Sequence, residues 1–218
     1  MIVTIDGPAG VGKSTVGRLL AERLGAAFLD TGALYRAVAL ATQWAGLNLK
    51  DVAVVEAWLT RIDLEVALKG GRFAVLLEGR EVEPFIRNEQ IGALASQLSA
   101  LAPVRRFLLE AQRSAAKLGN LVAEGRDMGT VVFPRAEVKF FLTASEEERA
   151  RRRLRDLLPA QPGLTLEAVL REMRQRDKRD ANRKHSPLRP APEAVAVDTT
   201  HLGLAAVVEV LFKKVRSV

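Results

Sequence analysis

The eight residues Gly7-Pro8-Ala9-Gly10-Val11-Gly12-Lys13-Ser14 constrain this chain more than any others, because they complete the pattern G-x-x-x-x-G-K-S/T. An apolar, β-branched run, Met1-Ile2-Val3-Thr4-Ile5, precedes them and reads as a short buried strand. Behind them Val16, Leu19, Leu20 and Leu24 recur at helical spacing, and Gly25 stands where a helix would stop. A glycine-rich turn between strand and helix lets successive backbone N–H groups face an anion, and the helix N-terminus adds positive potential. Lys13 can then reach β- and γ-phosphates, while the Ser14 hydroxyl is placed for Mg²⁺. Gly7, Pro8, Ala9, Gly10, Val11, Gly12, Lys13, Ser14 and the following Thr15 are therefore the expected nucleoside-triphosphate site.

Charge sharpens this. The chain carries a net charge of +7 over 218 residues. Between Arg149 and Arg189 stand thirteen Lys/Arg and five Asp/Glu, a balance of +8, against twenty basic and twenty-one acidic residues elsewhere, a balance of −1. Such a stretch suits nucleic acid, or a clamp on a few phosphates; beside a phosphate loop the clamp is favoured. Cysteine is absent, which excludes disulfides and thiolate metal sites. No apolar run approaches a membrane span, and the opening strand leaves no room for a leader, so a cytoplasmic location is expected.

Along the chain, Ala26 to Leu29 reads as a second strand ending at Asp30-Thr31-Gly32, and a helix follows with Leu34, Val38, Ala41 and Ala45 on one face. Residues 51–60 read as another helix. The period changes at Ile62, where Leu64, Val66 and Leu68 alternate with Asp63, Glu65 and Ala67 before Gly70-Gly71. This predicts a β-hairpin, extended by Val82, inside an otherwise alternating strand–helix chain, and so an insertion over residues 60–101. Helices are expected from Glu89 to Leu101 and from Pro103 to Leu118. Trp44 and Trp58 are expected in the core. Further strands end at Glu124-Gly125-Arg126-Asp127 and at Thr143, and a last one covers Val195 to Thr199. Ser145 and Glu148 form a capping box for a helix bearing Arg149, Arg151, Arg152, Arg153 and Arg155. Five short strands alternating with helices predict an α/β fold with a parallel sheet covered on both faces.

Ligands of open parallel sheets sit at the carboxyl ends of strands. The clusters beginning at Asp6, at Asp30 and at Glu124 all fall there, and Arg176, Arg179, Asp180 and Arg183 share a helix face. So many arginines exceed the needs of one triphosphate and point to a second phosphorylated molecule or a phosphoryl group in flight. No histidine or cysteine stands in these clusters; His185 and His201 read as surface residues. A phosphate-monoester acceptor, already mostly a dianion at neutral pH, needs no protein base.

Four blocks, Gly7 to Ser14, Leu29-Asp30-Thr31-Gly32-Ala33-Leu34-Tyr35-Arg36, Gly125-Arg126-Asp127-Met128-Gly129-Thr130-Val131-Val132-Phe133-Pro134 and Arg176-Asp177-Lys178-Arg179-Asp180-Ala181-Asn182-Arg183, together closely resemble bacterial cytidylate kinases across essentially the whole chain. The resemblance implies the nucleoside-monophosphate kinase fold of P-loop proteins. That fold has a five-stranded parallel sheet in a core of residues 1–59 and 102–218, an acceptor-binding insertion at 60–101, and an arginine-rich lid at 149–183. It implies a monomer that uses Mg²⁺ and ATP to phosphorylate CMP or dCMP, with neither nucleic acid nor membrane as partner. It further implies that Thr31, Arg36, Arg126 and Arg183 hold the acceptor phosphate, with Tyr35 beside them. Ser96, Arg105 and Asp127 would read cytosine, and Arg176 with Asp180 would contact the ribose. Lys13, Arg126 and Arg183 would be the catalytic cations. An ionised Asp127 accepts a hydrogen bond from the exocyclic amine of cytosine but faces a like dipole in uracil.

Each residue also has a plainer reading: Arg126-Asp127 as a structural ion pair, Ser96 as an ordinary buried helix serine, and Arg149 to Arg155 as a solvated face with one or two members touching nucleotide. Alternatives to the whole reading are a kinase of another small acceptor (UMP- or shikimate-type), a nucleotide-dependent switch or binding module, and a nucleic-acid-binding module. The set Ser96, Arg105 and Asp127 argues against the first, the missing Asn-Lys-x-Asp signature against a guanine switch, and an aromatic content of 5% against the last.

Overall fold

A computed structural model describes residues 1–218. In chain order the elements are β1 (Ile2–Asp6), α1 (Lys13–Leu24), β2 (Ala27–Asp30), α2 (Thr31–Trp44), α3 (Val52–Leu59), β3 (Leu64–Lys69), β4 (Arg72–Leu77), β5 (Arg80–Glu81), α4 (Glu83–Ile86), α5 (Glu89–Leu98) and α6 (Ala102–Ser114). They continue with β6 (Leu121–Gly125), β7 (Val138–Thr143), α7 (Glu146–Leu157), α8 (Leu166–Asn182), β8 (Val195–Asp198) and α9 (Leu204–Arg216).

Five strands run parallel in the order β2-β6-β1-β7-β8, so β1, which leads into the phosphate loop, lies in the middle. Its side chains Val3 and Ile5 are fully buried on a face covered by α1 and α9, where Val16, Leu20, Val207 and Leu211 meet them. The hairpin forms as its alternation predicts: β3 and β4 pair antiparallel from Leu64↔Leu77 to Lys69↔Arg72. Gly70 and Gly71 turn it with φ values of 55° and 75°, the left-handed pair that a two-residue hairpin turn requires.

The hairpin does not stand apart from the sheet. Phe28 of β2 pairs in parallel with Arg72 of β4, which extends the sheet to eight mixed strands where five parallel ones were expected. Residues 60–101 share their core too. Val75, Leu77, Ile86, Ile91 and Leu98 pack with Leu34 and Val38 of α2, Val55 and Leu59 of α3, and Val104 and Leu108 of α6. Removing that much apolar surface from water fastens the insertion to the helix that begins at Thr31.

Two local expectations are corrected. Trp44, the last residue of α2, is 63% exposed; Trp58 packs partly buried against the core. The helix from Pro103 stops at Ser114 and tightens into a 3₁₀ turn over Ala115–Leu118, closed by Gly119 at φ 131°. His185 and His201 are exposed.

Candidate active site

The phosphate loop joins β1 to α1 as expected. None of the backbone N–H groups from Gly10 to Thr15 donates to a protein acceptor, and the first internal bond of the turn is Val16 N–H to Gly12 O at 2.9 Å. Six such unbonded donors at a helix N-terminus suit an anion. The shape of the loop depends on close approach: a Cβ at Gly7 would collide with the backbone carbonyl of Leu142 on β7, and one at Gly10 would lie 2.9 Å from the Arg149 carbonyl.

Inside the loop Lys13 is buried and its Nζ donates to Pro8 O at 2.7 Å. Burial, and then the neighbouring Arg126 guanidinium, push its ammonium well below the usual lysine range. Ser14 Oγ donates at 2.5 Å to Glu124 Oε1, at the end of the adjacent strand β6. Burial, then the Asp30 carboxylate, raise Glu124 to about 7. Ser14 and Glu124 thus offer a hydroxyl and a carboxylate side by side at the mouth of the loop. This fits magnesium, which takes one or two protein oxygens and completes its shell with phosphate and water. Glu124 stood among the strand-end clusters of the sequence without an assigned role; only the parallel register of β1 and β6, which pairs Ile5 with Glu124, brings it to Ser14.

Asp6 plays a different part. It is buried, and its two carboxylate oxygens accept from Met128 N and Gly129 N, each at 2.8 Å. Burial raises it to about 6. Those bonds hold a single wide turn in which Val132 N reaches Asp127 O and Phe133 N reaches Met128 O, five residues back in each case. The turn sets the directions of Arg126 and Asp127, the two residues before it.

Arg126 and Asp127 point to different partners, so the structural ion pair between them is excluded. Arg126 Nε donates to Asp180 Oδ2 on α8 at 3.0 Å. Asp127, 2% exposed, pairs with Arg105 on α6. Arg105 also donates to Ser99 O at 3.1 Å and lies 5.6 Å above the Tyr35 ring. Burial raises the Tyr35 hydroxyl to about 12, which keeps it neutral. Ser96 lies in the same region with its Oγ buried and unbonded. A buried helix serine ordinarily satisfies its hydroxyl on its own backbone; Ser99 does so, donating to Ser96 O at 2.9 Å. Tyr35, Arg105 and Asp127 therefore form one polar cluster, and Ser99, which Arg105 also touches, links it to Ser96.

A second set is cationic. Arg176 Nε, Arg36 Nη1, and Arg183 Nε and Nη2 are buried without a hydrogen-bond partner. Burial, then Arg126, hold Arg176 down to about 10. Asp180 is the counterweight: burial opposes its charge, yet Arg126, Arg183 and Arg176 together keep it below the usual carboxylate range. Arg183 also reaches Ser99 Oγ at 3.2 Å. Unbonded buried guanidinium donors are costly unless an anion meets them.

Two residues depart from their expected parts. The Thr31 hydroxyl, buried, donates to Glu124 O at 2.7 Å, so its proton ties α2 to β6 and only its lone pairs remain for a ligand. Arg149 is not part of a solvated face. It is 5% exposed, and its guanidinium donates to Ala9 O at 3.2 Å, Ala144 O at 3.2 Å and Asp177 Oδ2 at 2.6 Å, buttressing the phosphate loop from behind. Arg36 leans on Asp30 at 3.8 Å, and Arg87, which the sequence reading passed over, reaches Asp30 at 2.7 Å. Arg87 also pairs with Glu83 four positions before it, but the partner that brings it to the site, Asp30, lies fifty-seven positions away.

The family model for cytidylate kinase matches residues 3–217. The chain belongs to the cytidylate kinase family. It is 47% identical to a cytidylate kinase of Geobacter sp. (strain M21) over 99% of this chain and 93% of that protein. It is also 47% identical to a cytidylate kinase of Carboxydothermus hydrogenoformans over 98% of this chain and 96% of that protein. Among solved structures, a shikimate kinase of Bacteroides thetaiotaomicron aligns over 99% of this chain and 98% of its own, with a TM-score of 0.51 at 13% identity, a likeness of fold alone. No helix is long and apolar enough to cross a membrane.

Proposed function

We propose that this member of the cytidylate kinase family transfers the γ-phosphoryl group of Mg·ATP directly to CMP or dCMP, as a cytoplasmic monomer. The observation that carries this reading is a set of buried guanidinium donors without a partner, on Arg36, Arg176 and Arg183. Arg183 ties this set to the Arg105–Asp127 pair through Ser99, whose hydroxyl accepts from Arg183 and whose carbonyl accepts from Arg105.

In this reading the cradle from Gly7 to Thr15 and Lys13 hold the donor phosphates. The Ser14 and Glu124 oxygens would hold magnesium, which would supply charge neutralisation at the donor phosphates. Thr31, Arg36, Arg126 and Arg183 hold the acceptor phosphate, and Arg176 with Asp180 meet the ribose. Asp127 accepts from the exocyclic amine of cytosine, Arg105 donates to the ring's acceptor edge, and the free Ser96 hydroxyl completes the set. An oxygen of the acceptor phosphate attacks the γ-phosphorus in line, the bond from that phosphorus to the β,γ-bridging oxygen breaks, and ADP leaves with its electron pair. The acceptor arrives as a dianion, so the protein has no proton to remove; it supplies alignment and positive charge from Lys13, Arg126 and Arg183.

Product analysis tests this. Mixing the enzyme with Mg·ATP and CMP is expected to form CDP and ADP one for one, with little ATP hydrolysis when CMP is left out. ADP formation without CDP would overturn the reading.

A further inference from the structure

Glu89 opens α5, where a glutamate is ordinarily explained by the helix dipole, and the Asn88 side chain caps that helix by accepting from Ile91 N at 2.9 Å. Its carboxylate does more than complement the dipole. It turns away from the helix to pair with Arg153 of α7, the one ion pair that joins α7 or α8 to residues 60–101. Both side chains are partly covered, 26% and 36% exposed. Together they line a small cavity with Ala9 of the phosphate loop and Glu172, Met173 and Arg176 of α8. The phosphate loop, α7 and α8 therefore border one small space with the Glu89 carboxylate.

The surroundings explain why a carboxylate is wanted there. Burial lowers Arg153, Asp156 and Glu172 favour its charge, and Arg36 opposes it. Arg176 is lowered by burial and by the nearby Arg126, Arg36 and Arg153 guanidiniums, with Asp180 acting against them. Like charges crowded in a partly dry space repel strongly. Glu89 is the anion that the insertion supplies to this crowd, and nucleotide phosphate is a second anion with a claim on the same guanidinium.

We propose that Glu89 is an internal clasp: through Arg153 it holds the arginine-rich helices against the insertion, and it competes with nucleotide phosphate for that guanidinium. Phosphate binding then exchanges one partner of Arg153 for another instead of gathering bare cations. The proposal rests on the reading that the phosphate loop takes Mg·ATP, but its first test does not need nucleotide.

Hydrogen exchange of α7 and α8 amides is measured on the free protein for the parent chain, Glu89→Gln, Arg153→Gln and the double variant, with melting curves to show that each folds. A half-exposed ion pair of this kind predicts exchange about two- to five-fold faster in Glu89→Gln, an effect that shrinks at high salt. In the Arg153→Gln background the Glu89 substitution is expected to change nothing further. Calorimetric titration with Mg·ATP is expected to show Glu89→Gln binding about two- to five-fold more tightly than the parent, because the competing anion is gone. Unchanged exchange in Glu89→Gln, an equal effect with and without Arg153, or unchanged or weaker Mg·ATP binding would each overturn the clasp. Failure to phosphorylate CMP would leave the exchange result standing and refute only the acceptor assignment.

Discussion

Asp127→Asn tests the proposal that Asp127 reads the base. Asp127 is 2% exposed, and its carboxylate has one side-chain partner, Arg105. Its backbone carbonyl closes the wide turn by accepting from Val131 N at 2.9 Å and Val132 N at 3.1 Å, contacts that an asparagine keeps. Arg105 stays anchored as well, through Ser99 O and the Tyr35 ring. The substitution therefore changes charge and hydrogen-bond polarity with little change of shape. A hydrogen bond to an ionised group contributes about 1.5–3 kcal/mol. Its loss to the cytosine amine should lower kcat/KM for CMP by about 10- to 150-fold. The new amide N–H can donate to the uracil carbonyl, so kcat/KM for UMP should hold or rise. Leaving Arg105 without a charged partner should cost about 1–3 kcal/mol of stability, seen as a lower melting temperature. Initial rates with both acceptors under saturating Mg·ATP decide the matter. If CMP and UMP activity fell in parallel, Asp127 would be a support for Arg105 and not a reader of the base.

Other perturbations separate structural from chemical roles. Thr31→Val removes a buried hydroxyl that donates to Glu124 O at 2.7 Å and should cost about 1–2 kcal/mol in urea unfolding, with Thr31→Ser recovering most of it. Glu124 is raised to about 7 from 4.5, first by burial and then by Asp30, so its contribution to stability is full below about pH 4.5 and lost as pH rises through about 7. Glu124→Gln should accordingly melt higher than the parent above pH 7, with the gap closing toward pH 4.5, while Mg·ATP-dependent turnover drops. Lys13→Ala should reduce turnover by about a hundredfold or more yet melt no lower than the parent, because it removes a buried cation whose charge the fold disfavours.

The parts of the site that were legible in the sequence are those written locally. The glycine pattern between Ile5 and Val16, the alternation of residues 62–68 ahead of Gly70-Gly71, and the capping residue Ser145 all act within a few positions of themselves. What escaped was set by register between distant strands. Glu124 meets Ser14 because β1 and β6 align Ile5 with Glu124, and the hairpin joins the sheet through the single pair Phe28↔Arg72. Charge count alone could not sort the arginines either. Arg149 supports the loop from below, Arg152 is held by Glu148 at 2.8 Å and by Thr199, and Arg153 turns to Glu89, so neighbours on one helix have three separate duties.

The central claim is that one face of the site reads cytosine while the other delivers a phosphoryl group. Steady-state kcat/KM with Mg·ATP across CMP, dCMP, UMP and AMP tests it most directly. The account predicts CMP and dCMP well ahead, UMP about tenfold or more behind them, and AMP scarcely used. Equal use of AMP, or ATP hydrolysis unaffected by any of the four, would contradict it.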